Sequence, residues 1–223
     1  MFTGIIEAVG RIQKITPKGN DIALTVESGK LDLADVKLGD SIATNGVCLT
    51  VVALTGNGYV ADLSTETLKR TAFATSQAGQ KVNLEKAMLP TTRFGGHMVS
   101  GHVDGIATVV SRSQTGRAIE FWLEAPAQLA KYLAEKGSVT IDGISLTIND
   151  VDGNRFKLTI VPHTALETTI EDFKVGHQVN LEVDVIARYL ERLMMGDRAA
   201  LQAGKSGLTM EKLAESGFLG SLR

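Results

Sequence analysis

The chain has 223 residues, room for two domains of about 100 residues each, and its 43% hydrophobic and 22% charged residues are ordinary for a globular protein. A formal net charge of −2 offers no basic field for nucleic acid or an anionic membrane, and no apolar run is long enough for a membrane-spanning helix. One cysteine excludes an internal disulfide and suits a reducing compartment. The N-terminus, Met1 to Glu7, lacks the basic start of a signal peptide, so the expectation is a cytoplasmic protein.

In chain order, residues 3–15 read as a strand, Pro17 to Asn20 as a turn and Ile22 to Val26 as an alternating strand. A short helix or turn should end near Gly39, and one strand should run from Ser41 through Val52. A hairpin at Gly56-Asn57-Gly58 leads into Tyr59–Leu63; Glu66-Thr67-Leu68 reads as one helical turn and Lys81–Glu85 as a last strand. Residues 86–97 link the halves. The later half follows the same plan, and its clearest helix is expected from Pro126 to Lys136, with Pro in the first turn and Gly137 as the stop. Trp122, inside an alternating run, reads as a packing residue. From about Val185 an amphipathic helix should carry Ile186, Leu190 and Leu193 on one face, and Leu208–Gly220 reads as another short helix.

The halves are copies of one another. Asn45-Gly46-Val47-Cys48-Leu49-Thr50-Val51 returns 97 residues later as Asp142-Gly143-Ile144-Ser145-Leu146-Thr147-Ile148, and the same offset aligns Thr3-Gly4 with Ser100-Gly101. It also aligns Val82-Asn83-Leu84-Glu85 with Val179-Asn180-Leu181-Glu182 without an insertion. So long a period means two whole domains rather than a solenoid. Alternation puts Val47, Leu49 and Val51 on a core face, and Cys48 and Thr50 on the other; Ile144, Leu146 and Ile148 oppose Ser145 and Thr147 in the same way. Short glycine-punctuated strands at this spacing suggest small antiparallel barrels.

His97 and His102 flank Met98 to Gly101, but their spacing and the lack of a third ligand argue against a metal site. His102 replaces Ile5 of the first copy, so the duplication is broken there in favour of a titratable group. Lys136 reads as a cation at a helix end and Asp184 as a cap for the tail helix, with Ala87 as its apolar counterpart. Gly204-Lys205-Ser206 is no phosphate loop, because Ala199 stands where the first glycine is needed.

Four stretches together, Met1 to Glu7, Asn45 to Val51, Gly95 to Val103 and Asp142 to Thr147, resemble the alpha-type riboflavin synthase family of the lumazine-binding barrel superfamily over nearly the whole chain. The resemblance implies an all-β fold: two tandem six-stranded antiparallel Greek-key barrels, residues 1–97 and 98–184, and a helical tail, residues 185–223, that assembles a homotrimer. It implies a transferase without cofactor or metal that dismutates two molecules of 6,7-dimethyl-8-ribityllumazine, bound together in one active site, to riboflavin and 5-amino-6-(ribitylamino)uracil. It raises an association with lumazine synthase, which the sequence leaves open.

By position, the resemblance implies a first half-site of Gly4, Ile5 and Ile6, with Cys48, Leu49 and Thr50. Asp62, Leu63, Ser64, Thr65, Glu66 and Thr67 follow, then Gly101, His102 and Val103. The second half-site would use Lys136, Ser145, Leu146 and Thr147, and then Thr159, Ile160, Val161, Pro162, His163 and Thr164. The active site would lie between the first barrel of one subunit and the second barrel of its neighbour. His102 is the expected proton-transfer group, Ser145 and Thr147 would orient the acceptor or activate a hydroxyl, Cys48 would assist as a relay, and Asp184 completes the catalytic candidates. Competing readings are a non-catalytic lumazine- or flavin-binding protein on the same scaffold, a flavin reductase domain, for which the chain has no room for a nucleotide module, and a pure trimerisation module.

Overall fold

The computed structural model describes residues 1–200, and Leu208–Gly220 and Gly204 to Ser206 lie outside them. The first six strands are β1 (Ala8–Lys18), β2 (Asp21–Glu27), β3 (Ser41–Thr44), β4 (Val47–Thr55), β5 (Gly58–Leu63) and β6 (Lys81–Lys86). They close a barrel in the order β1-β2-β5-β4-β3-β6, with every pair antiparallel and β6 returning to β1. The second set, β7 (Gly105–Thr115), β8 (Ala118–Glu124), β9 (Ser138–Ile141), β10 (Ile144–Asp152), β11 (Arg155–Ile160) and β12 (Gln178–Val183), closes a second barrel of the same connectivity. Closure leaves no long free edge on which another chain could pair.

Alternation along the strands fills each barrel. Leu24, Val26, Leu49, Val51, Ala61 and Leu84 point into the first core, and Phe121, Leu123, Ile148, Phe156, Leu158 and Leu181 into the second. Tyr59 is fully buried, and its hydroxyl meets Thr44 Oγ1 at 2.6 Å, the partner that a buried phenol needs. Burial also pushes the phenol above its usual range. Each barrel ends β5 or β11 in a short helix, α1 (Thr65–Arg70) or α2 (Pro162–Glu167). Ser64 caps α1 by accepting from Thr67 N, a role that Val161, at the equivalent position, cannot fill.

Several expectations are corrected. Residues 3–7 are not strand: β1 starts at Ala8 and continues through Pro17 and Lys18, so the turn is only Gly19-Asn20. The run from Ser41 to Val52 is a tight hairpin rather than one strand. Asn45 (φ 45°) and Gly46 (φ 76°) take the left-handed conformations of a two-residue turn, and Ser41 pairs with Thr50. The helix expected over 126–136 is a 3₁₀ segment, Ala127–Tyr132. Lys136 ends no helix; it stands at φ 65° where the first copy has Gly39, and both residues donate their N–H to the carbonyl of the core strand, Ile148 or Val51. Trp122, read as a packing residue, lies half-buried on the outer face beneath Lys157.

Both barrels belong to one compact unit, Met1–Arg188. The last described α-helix, α3 (Val185–Met194), carries Ile186, Leu190 and Leu193, each more than half exposed. Asp184 does cap this helix, its Oδ1 accepting from Ile186 N at 2.9 Å. Among the described residues no helix is long and apolar enough to cross a membrane.

Candidate functional site: two strand faces completed by exchanged segments

The two hairpin turns meet. Gly46 and Gly143 pack so closely that a Cβ on either would lie under 3.0 Å from the other's backbone N, which only glycine permits. Around this contact the bonds are reciprocal. Asn83 Nδ2 donates to Asp142 O and Asn180 Nδ2 to Asn45 O, both at 2.9 Å. Asn83 Oδ1 accepts from Thr169 N and Asn180 Oδ1 from Ala72 N. The 97-residue offset is therefore an approximate twofold axis inside the chain, and the aligned asparagines hold it. Both polar atoms of each buried amide therefore have a partner, which is what burial demands.

The segment before each barrel crosses to the other one. Gly4 O accepts from Ser145 N at 2.8 Å on β10, and Gly101 O accepts from Cys48 N at 2.9 Å on β4. An ideal Cβ on Gly4 or Gly101 would sit 2.6 Å from the Cβ of Ser145 or Cys48, so both segments ride directly over these side chains. Ile6 then packs on the second core and Val103 on the first. Two buried glutamates anchor the crossings. Glu85 accepts from Thr3 N, Thr3 Oγ1 and Gly4 N; Glu182 accepts from Ser100 N, Ser100 Oγ and Gly101 N. Desolvation raises the pKa of both carboxyls, and the hydrogen bonds to Thr3 and Ser100 work against that rise.

This exchange corrects the grouping of half-sites. Gly4, Ile5 and Ile6 belong with Ser145 on the second barrel, not with Cys48. The first face comprises Cys48 and Thr50 of β4, Asp62 of β5, the start of α1 at Ser64 to Thr67, and Gly101, His102 and Val103. The second comprises Ser145 and Thr147 of β10, Thr159 of β11, Val161 to Thr164 at the start of α2, and Gly4 to Ile6. Thr50, Thr147, Thr159, His102 and His163 are exposed and open to a ligand, and Lys136 is exposed just before β9. Leu49, Leu63 and Ile160 point into the cores, so only their backbone can reach a ligand, and Leu146 packs half-buried against the second core. Asp62 is tied to Lys18 at 2.6 Å, Glu66 to Arg70 at 2.6 Å, and Thr65 to Asp21. The structure does not bring His102 and Ser145 together.

Ser145 instead has a partner that sequence reasoning had set aside. His97 Nδ1 lies 2.7 Å from Ser145 Oγ, and its Nε2 lies 3.1 Å from Thr140 Oγ1. Burial pushes this imidazole below its usual pKa, and the nearby Asp184 carboxylate opposes that shift. Glu85, Glu182, Asn83 and Asn180 were visible only as anchors of the repeat. Among the described residues, no cluster of three His, Cys, Asp or Glu side chains could hold a metal ion.

The model of the lumazine binding domain matches residues 3–87 and again 100–184, so each match covers one barrel and its crossing segment. Riboflavin synthase of Photobacterium phosphoreum is 64% identical over 98% of this chain and 100% of its own length. Riboflavin synthase of Bacillus subtilis is 42% identical over the same shares. Among solved structures, the crystal structure of LumP complexed with 6,7-dimethyl-8-(1'-D-ribityl) lumazine has a TM-score of 0.74 at 24% identity, covering 82% of this chain and 99% of that chain; this likeness concerns the fold. With a lumazine binding domain matched on each barrel and a full-length relative at nearly two-thirds identity, the chain belongs to the riboflavin synthase family.

Proposed function

We propose that the chain dismutates two molecules of 6,7-dimethyl-8-ribityllumazine, moving a four-carbon unit from one to the other to give riboflavin and 5-amino-6-(ribitylamino)uracil. The atoms balance between two substrates and two products, so no oxidant or reductant is needed. The observation that carries this reading is the duplicated face: Cys48 and Thr50 under Gly101, and Ser145 and Thr147 under Gly4, related by an internal twofold. Two identical molecules that must meet in opposite orientations are well served by two equivalent seats. Holding both reactants in register can supply about 7–11 kcal/mol of a bimolecular barrier.

The reaction then needs little more than proton handling. The C7 methyl of the lumazine is acidic because its anion delocalises into the ring, and a positioned side chain or water can remove the proton. His102 stands exposed on the first face for that task, and Ser145 and Thr147 present hydroxyls on the second. Exposed threonines and Lys136 suit the ribityl hydroxyls, and strand-edge backbone suits the pyrimidine part. Residues 1–97 and 98–184 act as the two ligand-holding domains. The apolar stripe of Ile186, Leu190 and Leu193 on α3 supports assembly of the tail into a homotrimer that sets the first barrel of one subunit against the second barrel of another. The protein would work in the cytoplasm.

The test is to mix purified protein with the lumazine alone. One riboflavin formed per two lumazines consumed is expected. Tight binding without flavin would instead make the chain a lumazine carrier, and the absence of both binding and turnover would overturn the reading.

A further inference from the structure

Among the places where the internal twofold is broken, one is concerted. Around Ser145 stand His97 and Thr140, with the Asp184 carboxylate near enough for its charge to act on His97. Thr140 on β9 is the cross-strand partner of Ser145 on β10. The positions 97 residues earlier hold Cys48 for Ser145, Ala43 for Thr140 and Ala87 for Asp184. Ala43 is the cross-strand partner of Cys48 in the same register. The thiol packs against the apolar group of Phe2, Ala43 and Val99, and among the described residues no imidazole bonds it. Three polar residues in one copy thus face a thiol and two alanines in the other. A fold that needed only packing here would have no use for a buried imidazole in one copy alone.

The linker builds this asymmetry. Gly96 passes so close that an ideal Cβ would lie 2.0 Å from Thr3 O and 2.9 Å from Ser145 Oγ, while His97 N donates to Thr3 O at 3.2 Å. The linker backbone is thereby pinned to the crossing segment, and the imidazole is aimed at the serine. We infer that His97 is a positioning residue that makes the two seats chemically unequal, holding the Ser145 hydroxyl so that its oxygen acts on the lumazine bound at the second barrel. With Nε2–H donating to Thr140 Oγ1, Nδ1 accepts the Ser145 proton, and the serine lone pairs turn to the ligand. The buried imidazole stays neutral at neutral pH, as this arrangement requires; Asp184 is the charged group whose field reaches it. The Cys48 seat lacks the relay, so an oxygen base is supplied to one substrate and not to its twin. A dismutation between identical molecules needs such an inequality, and the inference rests on the dismutase reading above.

The experiment compares steady-state riboflavin formation by wild type, His97→Ala, His97→Asn, Ser145→Ala and the double variant His97→Ala/Ser145→Ala. His97→Ala should lower kcat about tenfold to a hundredfold, with KM changed by less than about threefold. Asn places an acceptor near the Nδ1 position and should restore part of the loss, which a purely packing role would not predict. The double variant should be no slower than Ser145→Ala, because both changes remove one function, and the acid limb of the kcat profile should shift when the imidazole is gone. Should His97→Ala misfold, His97→Asn decides by the same profile. A normal kcat and unchanged pH profile in either folded variant, with Ser145→Ala slow, would overturn the role of His97. Absence of turnover by the wild type would instead bring down the dismutase reading and this inference with it.

Discussion

Replacing Asp142 by Asn should stabilise the protein, and only above acidic pH. Asp142 and Asn45 occupy equivalent turn positions, at φ 43° and 45°, and make equivalent bonds. Each side-chain Oδ1 accepts a backbone N–H of the aligned asparagine on the last strand of its own barrel, and each carbonyl accepts an Nδ2 from the opposite barrel. Asn in place of Asp142 therefore keeps every bond drawn here. What it removes is a buried ionisable group: desolvation raises the Asp142 carboxyl to about 7, opposed by its bond from Asn180. Because the folded pKa lies above the unfolded one, the folded state binds the extra proton. Stability is undiminished below about pH 4, falls as pH rises toward 7, and stays reduced above it. Three pH units at 1.36 kcal/mol each set an upper bound of about 4 kcal/mol. A cavity of about 170 Å³ beside the carboxyl, lined by Gln80, Lys81, Thr169, Asp172, Phe173 and His177, is large enough for water. Hydration there, and the Lys81 cation shared with Asp172 at 2.7 Å, bring the expectation to roughly 2–3 kcal/mol. Urea unfolding of both proteins at pH 4.5 and pH 8 measures it. The midpoints should nearly coincide at the lower pH and separate by about 1 M at the higher. Glu85 and Glu182 also titrate with raised values, but they are common to both proteins and drop out of the difference. Equal midpoints at pH 8, or a variant weaker at every pH, would refute the account.

Gly101→Ala puts a Cβ 2.6 Å from that of Cys48 at φ 80°; a melting-temperature loss equivalent to about 2 kcal/mol or more and loss of flavin formation are expected. Glu182→Gln turns an amide toward the N–H groups of Ser100 and Gly101, and should cost about 2 kcal/mol in denaturant unfolding. Lys136→Gly relieves a left-handed lysine, so stability should hold or rise by up to about 1 kcal/mol, while lumazine affinity, followed by fluorescence titration, should fall because a cation is gone. Tyr59→Phe leaves Thr44 Oγ1 without its 2.6 Å partner and should destabilise by about 1–2 kcal/mol, with turnover at saturating substrate unchanged.

The duplication was legible because offset and alternation are properties of the chain itself. A period of 97 residues and the in-out pattern of Val47 to Val51 were enough to expect paired barrels with small polar residues outside. The hairpin at Asn45-Gly46 was half-legible: the dipeptide signals a turn, yet reading one strand from Ser41 through Val52 hides the separate strand β3. The crossing of residues 1–7 and 98–104 was not legible, because which barrel a segment covers depends on tertiary packing and not on periodicity. Glu85 and Glu182 carried no such signal either: alternation puts them on the strand faces opposite Val82, Leu84, Val179 and Leu181, and only the crossing segments bury them and supply their donors.

His97 escaped for a different reason. Comparing two copies finds what they share, and it finds exchanges such as Ile5 for His102, which drew attention to an exposed imidazole. His97 lies in the linker, outside the aligned copies, and so had nothing to be compared with. Its partners did have counterparts: Thr140 against Ala43 and Asp184 against Ala87 are polar-for-alanine exchanges that a tally of the repeat contains. An alanine facing a polar residue across an internal repeat means that one copy has a group to satisfy which the other lacks. Both exchanges fall beside the Ser145–Cys48 pair, and the histidine linking them is buried at 2.7 Å from the serine. These three exchanges therefore converge on one seat. In a reaction whose two substrates are identical, the difference between donor and acceptor has to come from the protein, and here it is concentrated around Ser145.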